Sequence, residues 1–195
     1  MAPELGHFAL IVGLLLALVQ GIVPLAGTWR GRTAWMGLAR PLAGTQFLFV
    51  GLAFGSLMHA FATLDFSLGL VVSHAHSELP MAYRLAATWG SHEGSMLLWV
   101  LMLSGWSAAV AWRSAHLPLE MVARVLAVMG LVASGFIAFV LFTSNPFRRL
   151  VPAALDGRDL NPLLQDPGMV LHPPMLYMGY VGFSVAFAFA VAALL

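Results

Sequence analysis

The chain contains no cysteine and no lysine among its 195 residues. Without cysteine it cannot form a disulfide, a redox dithiol or a thiolate metal site, so any thiol chemistry it supports must use the cysteines of another protein. All nine basic residues are arginine. This bias fits either a GC-rich genome or sites that favour a planar, permanently charged donor.

Charge of either sign is scarce. Charged residues make up 9% of the chain and hydrophobic residues 61%, whereas an average soluble domain has roughly 25% charged residues. The net charge of +1 gives no electrostatic reason to expect a nucleic-acid partner. Met1–His7 contains Glu4 and no basic residue, unlike a cleaved signal peptide, so we expect the first apolar run to remain as a helix.

Five long apolar stretches make up most of the sequence. Each is long enough to cross about 30 Å of hydrocarbon as a helix. The sequence therefore predicts an all-α, polytopic transmembrane fold of about five spanning helices, forming a single region over residues 1–195. The last run reaches the end of the chain without a cap, so we expect the sequence to be part of a longer protein. The five predicted spans are residues 6–26, 41–63, 94–112, 121–143 and 173–195.

Arginine placement predicts the orientation, because short cytoplasmic loops collect positive residues. The segment after the first span contains Arg30, Arg32 and Arg40, and the segment after the third span is flanked by Arg113 and Arg124, so both would be cytoplasmic. The N-terminus and two long loops, 64–93 and 144–172, would then be periplasmic. Within the second span, Gly51 and Gly55 form a GxxxG pattern that fits either a helix-packing face or chance.

A first cluster of chemically capable residues lies at the start of the third predicted span and contains Trp89, His92 and Glu93. One interpretation is structural: Ser91 or Ser95 caps the helix and the cluster forms an interfacial hydrogen-bond network. The other is a ligand site, as ionisable groups at a membrane boundary often indicate. A zinc-protease motif is excluded because Met96 stands where H-E-x-x-H needs its second histidine.

A second cluster surrounds His172, which precedes Pro173 and Pro174. A residue before proline is pushed out of the α region, so we expect His172 at the N-cap of the fifth helix. There the helix dipole would favour a neutral imidazole suited to axial metal ligation; the alternative is a histidine that only caps the helix. Arg148 and Arg149 could bind an anionic partner, such as haem carboxylates or a lipid headgroup, or could pair with nearby acids, which are Asp156, Asp159 and Asp166.

Three ungapped segments in chain order carry a resemblance to a known family. They are MAPELGHFAL at the start, ATWGSHEGSMLLW at residues 87–99, and LLQDPGMVLHPPMLYMGYVGF at residues 163–183. They closely resemble the CcmF/NrfE family, the haem lyase subunits of bacterial cytochrome c maturation. The resemblance implies that His172 is a periplasmic axial ligand to incoming haem. It matches the WGxHEG segment at Trp89, His92 and Glu93 without assigning their roles, leaving these three and the Arg148–Arg149 pair as candidate supports of the haem site.

The resemblance also implies a setting and partners. The protein would be a multi-pass bacterial inner-membrane protein that receives haem from a periplasmic CcmE-like haem chaperone. It would take part in attaching haem to an apocytochrome c reduced by a CcmH-like thioreduction subunit. Family members are several-fold longer, and their tryptophan-rich haem segment and further histidine ligands lie beyond this sequence, so we expect enzymatic activity to require that portion or partners. The alternatives are a haem or solute transporter component and a structural anchor of the maturation complex.

Overall fold

The computed structural model describes all 195 residues and is mainly helical, with no strand and one isolated β-bridge between Leu68 and Arg149. The predicted all-α class is confirmed. A 3₁₀ turn, Pro162–Gln165, precedes the last helix. The α-helices are α1 (Ala2–Trp29), α2 (Thr33–Gly37), α3 (Ala39–Ala62), α4 (Gly69–His74), α5 (Met81–Ala87), α6 (His92–Arg113), α7 (Leu119–Phe142) and α8 (Pro167–Leu194).

Five helical segments are long and apolar enough to cross a membrane: α1, α2 with α3 as one segment (Thr33–Ala62), α6, α7 and α8. In hydrocarbon every backbone N–H and C=O must be satisfied inside the segment or by a neighbour, which is why apolar runs of this length become helices. The predicted number of spans is confirmed.

Helices α1, α3, α6 and α7 form the main bundle, in which α1 packs along both α3 and α7. The α1–α7 contact is close at Gly21 and Gly130. A Cβ atom added to Gly130 would lie 2.9 Å from the Gly21 nitrogen, so the two backbones approach in the way that small residues permit between membrane helices. By contrast, a Cβ atom at Gly55 would meet nothing within 4 Å, so the GxxxG pattern of α3 is not a close packing face.

One polar side chain links three helices inside the bundle. Gln20 of α1 is fully buried, and its amide nitrogen donates to the Ser107 hydroxyl of α6 at 3.0 Å and to the Leu126 carbonyl of α7 at 2.7 Å. Such bonds between membrane helices contribute about 0.6–2 kcal/mol each. They set the rotation of α1 against α6 and α7.

The two long connections pack on each other at one end of the bundle and together form a cap, defined as residues 63–91 and 143–166. Their backbones pair where Gly69 N donates to the Arg148 carbonyl at 3.0 Å and Arg158 N donates to the Val72 carbonyl at 2.7 Å. Asp156 accepts from the Ser77 hydroxyl at 2.7 Å and from the Gly157 amide at 2.7 Å. The long loops are therefore ordered by each other.

Helix α8 begins at Pro167, six residues before the predicted start at Pro173. Asp166 is its N-cap, with the carboxylate accepting from Gly168 N at 2.8 Å and Met169 N at 3.2 Å. Asp is a much stronger N-cap than His, and Pro167 occupies the first helical position that proline favours. The predictions that His172 caps the helix and that the second loop extends to residue 172 are wrong; the loop ends at Asp166.

Helix α8 lies at the edge of the bundle. Only 17% of its apolar membrane-spanning stretch is buried against the rest of the protein, whereas 39–61% is buried in each of the other four spans. It is attached through Trp99 of α6, whose ring centroid lies 5.2 Å from that of Tyr177, and through the Trp106 indole nitrogen, which donates to the Met178 carbonyl at 3.2 Å. One side of α8 therefore contacts α6 and α7 while the other stays open.

We predict that Asp156→Asn loosens the cap at neutral pH. The hydrogen bond from the Ser77 hydroxyl, followed by that from the Gly157 amide, lowers the pKa of Asp156 from its ordinary 3.8. A carboxylate with a lowered folded-state pKa contributes stability above its unfolded-state pKa and loses it as the pH falls through the folded-state value. Hydrogen exchange at the Ser77 and Gly157 amides should therefore be faster in the variant at pH 7. The difference from wild type should shrink below pH 3.8.

Glu78→Gln is the matched control, because Glu78 is an exposed acid of the same cap whose side chain makes no hydrogen bond. Equal exchange in wild type and Asp156→Asn at pH 7 would show that Asp156 does not hold the cap together.

Candidate functional site

The turn from the cap into α6 is built from Trp89 to Ser95. Ser91 is the N-cap of α6, with its hydroxyl accepting from Gly94 N at 3.0 Å, and the Ser95 hydroxyl donates to the Trp89 carbonyl at 2.7 Å. The expected cap at Ser91 is confirmed. A Cβ atom at Gly94 would overlap the Thr88 carbonyl, so this position accepts only glycine in this turn. Ser91 and Gly94 thus have structural roles.

His92 follows the cap residue and points toward α7. Its Nδ1 lies 2.9 Å from the Ser144 hydroxyl, and its ring meets Phe139 edge-on with 6.1 Å between centroids. The other ring nitrogen, Nε2, has no protein partner and the side chain is exposed. His92 and Met96 line one side of an open cleft of about 550 Å³ whose opposite side is α7. Glu93, half-buried in the first turn, makes no side-chain hydrogen bond or ion pair.

Trp89 joins the two sequence clusters. Pro174 lies inside α8 and has no N–H, so it leaves the carbonyl of Val170, four residues earlier, without its helical partner. The indole nitrogen of Trp89 donates to that carbonyl at 2.9 Å. This bond attaches the first two turns of α8 to the start of α6 and brings the segments containing Trp89 and His172 side by side.

His172 lies in the second turn of α8, exposed, and its side chain makes no hydrogen bond. Its neighbours on the helix surface are apolar and open: Leu171 is 63% exposed and Met175 is 74% exposed. Because the helix begins at Pro167, the expected placement of the imidazole against the helix N-terminus does not occur. What the structure provides instead is an unpartnered imidazole on an apolar surface.

Arg148 and Arg149 differ from each other. Arg149 forms an ion pair with Glu4 at the start of α1, lies 3.8 Å from Asp65 and donates to the Ser67 hydroxyl. Arg149 therefore pairs with acids, as one of the two alternatives from the sequence expected. The acids are Glu4 and Asp65, however, and not Asp156, Asp159 or Asp166. Arg148 is exposed, and its side chain has no hydrogen bond or ion pair. Of these two arginines, Arg148 is therefore the one with a guanidinium available to an anion.

We predict that Trp89→Phe destabilises the protein by about 0.5–1.5 kcal/mol, the net contribution of a hydrogen bond such as this part-buried one. Phenylalanine keeps an aromatic ring but removes the N–H that reaches the Val170 carbonyl. Trp112→Phe is the control, because Trp112 is 84% exposed and its side chain makes no hydrogen bond. Thermal unfolding in detergent measures both; equal melting temperatures for the two variants would contradict this role for Trp89.

Comparisons with known proteins agree with the motif resemblance. The family described as Cytochrome C assembly protein matches residues 89–195, more than half of the chain. The cytochrome c-type biogenesis protein CcmF of Pseudomonas aeruginosa is 60% identical over 196 residues, which cover 100% of this chain and 30% of that protein. CcmF of Escherichia coli is 55% identical over 196 residues with the same coverage. NrfE of Haemophilus influenzae is 45% identical over 195 residues, covering 100% of this chain and 31% of that protein.

A solved structure named Cytochrome c Heme Lyase CcmF has the same arrangement of helices. It matches with a TM-score of 0.85 and 28% identity, covering 99% of this chain and 30% of that structure. The chain thus spans about 30% of the length of the relatives it matches. With a family match over more than half of its residues and a shared helical fold, the chain belongs to the cytochrome c assembly protein family, alongside the CcmF and NrfE proteins.

Proposed function

We propose that this chain handles haem during cytochrome c assembly and that His172 is an axial ligand to haem arriving from a periplasmic haem chaperone. The observation that carries the proposal is the exposed imidazole of His172, which no protein group engages, on an open apolar face of α8. A histidine that served only to shape the helix would be the N-cap, and Asp166 has that role.

The surroundings of His172 fit one side of a haem. Imidazole nitrogen is a common axial ligand of haem iron. Leu171, Met175 and Leu176 are exposed apolar side chains on the same helix that can contact a porphyrin. Haem iron has two axial positions, and in this proposal His172 fills one of them while the remaining polypeptide or a partner would supply the second ligand.

The other candidate residues would act around that ligand. Trp89 is a positioning residue, because its indole holds the carbonyl of Val170, two residues before His172. Arg148 offers a free guanidinium for a carboxylate of the haem, whereas Arg149 is already paired with Glu4. His92, with its free Nε2, and Glu93, with its unpartnered carboxyl group, border the same end of α6 and support the site there.

The covalent step needs thiols that this chain lacks. Each cysteine of the apocytochrome adds across a haem vinyl group, the sulfur bonding to one carbon and a hydrogen to the other, with no leaving group. The CcmH-like thioreduction subunit would deliver those cysteines in the thiol form. Since the chain spans about 30% of its CcmF relatives, we infer that haem lyase activity requires further polypeptide, and that this portion contributes haem reception.

Orientation in the bacterial inner membrane follows from charge. Arg30, Arg32, Arg40, Arg113 and Arg124 lie at the end of the bundle opposite the cap, as the ends of α1, α3, α6 and α7 place them. The positive-inside rule favours that end in the cytoplasm and the cap in the periplasm. The central turns of the five spans contain no charged side chain, so no observation favours the alternative of a transport pathway.

We predict that topology reporters fused after Gly31 and after Gly157 report cytoplasm and periplasm respectively. Gly31 lies between α1 and α2, and Gly157 lies in the cap. The arginine-rich end should remain inside because translocating several guanidinium groups is unfavourable. Alkaline phosphatase and green fluorescent protein fusions measure the two sides. Reversed signals would place His172 on the cytoplasmic side and overturn haem reception from the periplasm.

We predict that His172→Gly abolishes or shifts the absorbance of incoming haem when the chain is co-expressed with the remaining portion of a family member and a haem-loaded chaperone. The variant removes the iron ligand without disturbing a hydrogen bond, because the imidazole makes none. Added imidazole should restore the spectrum by filling the vacated axial position. Cytochrome c assembly should fall with the spectrum.

His116→Gly is the matched control, since His116 is an exposed histidine in the turn between α6 and α7, at the opposite end of the bundle. It should leave the haem spectrum unchanged. An unaltered spectrum together with normal cytochrome c assembly in His172→Gly would show that His172 is not a haem ligand.

A further inference from the structure

An apolar groove lies on the face of the bundle where α3, α6 and α8 meet. Its volume is about 370 Å³, and six of its seven lining residues are hydrophobic. Gly105 forms part of the floor, where the ring of Phe47 packs 3.4 Å from the position a Cβ atom would take. The other lining residues are Leu101, Met102, Trp106, Ala109 and Met178. The groove is open and apolar, which suits it to a flexible hydrocarbon chain.

The groove is lined mainly by α6 and α3, and each of these helices has an arginine near its end opposite the cap. On α6, Arg113 is one turn beyond Ala109 and on the same helix face. On α3, Arg40 is two turns before Phe47, again on the same face. The Arg40 side chain reaches the end of α6, where Nη2 donates to the Ser114 carbonyl at 3.0 Å. The two guanidinium groups therefore belong to one corner of the bundle.

This arginine corner, Arg40 and Arg113, has no anion of its own. Arg113 is exposed and makes no hydrogen bond or ion pair, and the Nε atom of Arg40 is buried without a hydrogen-bond partner. The acid nearest in sequence is Glu120, which is paired with Arg124. Two like charges without a counter-charge repel each other, so an anion bound between them would be favoured.

We propose that the groove and the arginine corner together form a binding site for one anionic phospholipid, with an acyl chain along the groove and the phosphate at Arg113 and Arg40. An apolar groove alone would accept any lipid tail; the unpaired guanidinium of Arg113 at its mouth, with Arg40 at the same corner, selects an anionic headgroup. Trp112, 84% exposed beside Arg113, is the amphipathic side chain typical of a membrane–water interface at the same level.

The site is independent of haem handling. Its groove runs from the middle of α6 toward the end opposite the cap, where the arginine corner lies, and the site uses none of the residues assigned to haem reception. It does contact α8 through Met178, next to the carbonyl that accepts from the Trp106 indole. A bound acyl chain would therefore fill the space between α3 and the peripheral helix and hold α8 in place.

Native mass spectrometry of the purified 195-residue chain tests the site, with dioleoylphosphatidylglycerol and dioleoylphosphatidylcholine offered at equal concentration. The wild type should retain the anionic lipid several-fold better than the zwitterionic one. Arg113→Gln should remove that preference without altering the fold, because Arg113 is exposed and unpaired. Ala109→Phe should reduce retention of both lipids by filling the groove.

Arg30→Gln is the matched control. Arg30 is also exposed at the arginine-rich end, but it lies at the end of α1 with its guanidinium over Trp35. It should leave the lipid preference intact. Equal retention of the two lipids by wild type, or an equal loss in Arg30→Gln and Arg113→Gln, would overturn the site. Retention of a neutral isoprenoid by the wild type would also overturn the site. The same holds if the chain forms a dimer that Ala109→Phe breaks while the bound lipid is retained, because the groove would then be a dimer interface.

Discussion

The hydrogen bond from the Trp89 indole to the Val170 carbonyl is the contact on which the arrangement of the cap end depends. Two successive prolines inside α8 remove two helical donors, and each freed carbonyl needs a partner when it is shielded from water. Trp89 supplies one of these partners from another part of the chain. The bond therefore fixes α8 along the bundle, and with it the depth at which His172 is presented.

The candidate site residues and their neighbours divide by whether their side chains are already engaged. Ser91, Gly94, Asp166 and Trp89 are explained by capping, close backbone approach or a bond to a freed carbonyl. His172, Arg148, Glu93 and the second nitrogen of His92 have no such explanation. Polar groups without protein partners are where a ligand can contribute binding energy, so the second set carries the functional proposal and the first set positions it.

Hydropathy was sufficient to predict the five spans, because apolar length alone decides which segments can cross a membrane. The predicted start of α8 was wrong because the sequence offers two X-Pro steps at which the helix could begin, Asp166–Pro167 and His172–Pro173. The helix begins at the first, because Asp is a much better N-cap than His. The ion pair of Arg149 with Glu4 joins residues 145 apart, and the close Gly21–Gly130 contact joins two spans. Neither has a local sequence signal, because both depend on which helices become neighbours.

The contrast between a well-packed bundle and a peripheral α8 bears on how a haem ligand could work here. The cap is closed by backbone pairing and by Asp156, and Gln20 links α1 to α6 and α7, so this framework resists rearrangement. Helix α8 is attached along one side only, with the His172 side chain exposed. A ligand used during transfer must bind haem and then release it, which requires an accessible face and a fixed position rather than an enclosed pocket. As the proposed ligand, His172 meets both requirements, because it lies on an open helix surface whose position is held by Trp89. The strength of haem binding would then be set by the second ligand.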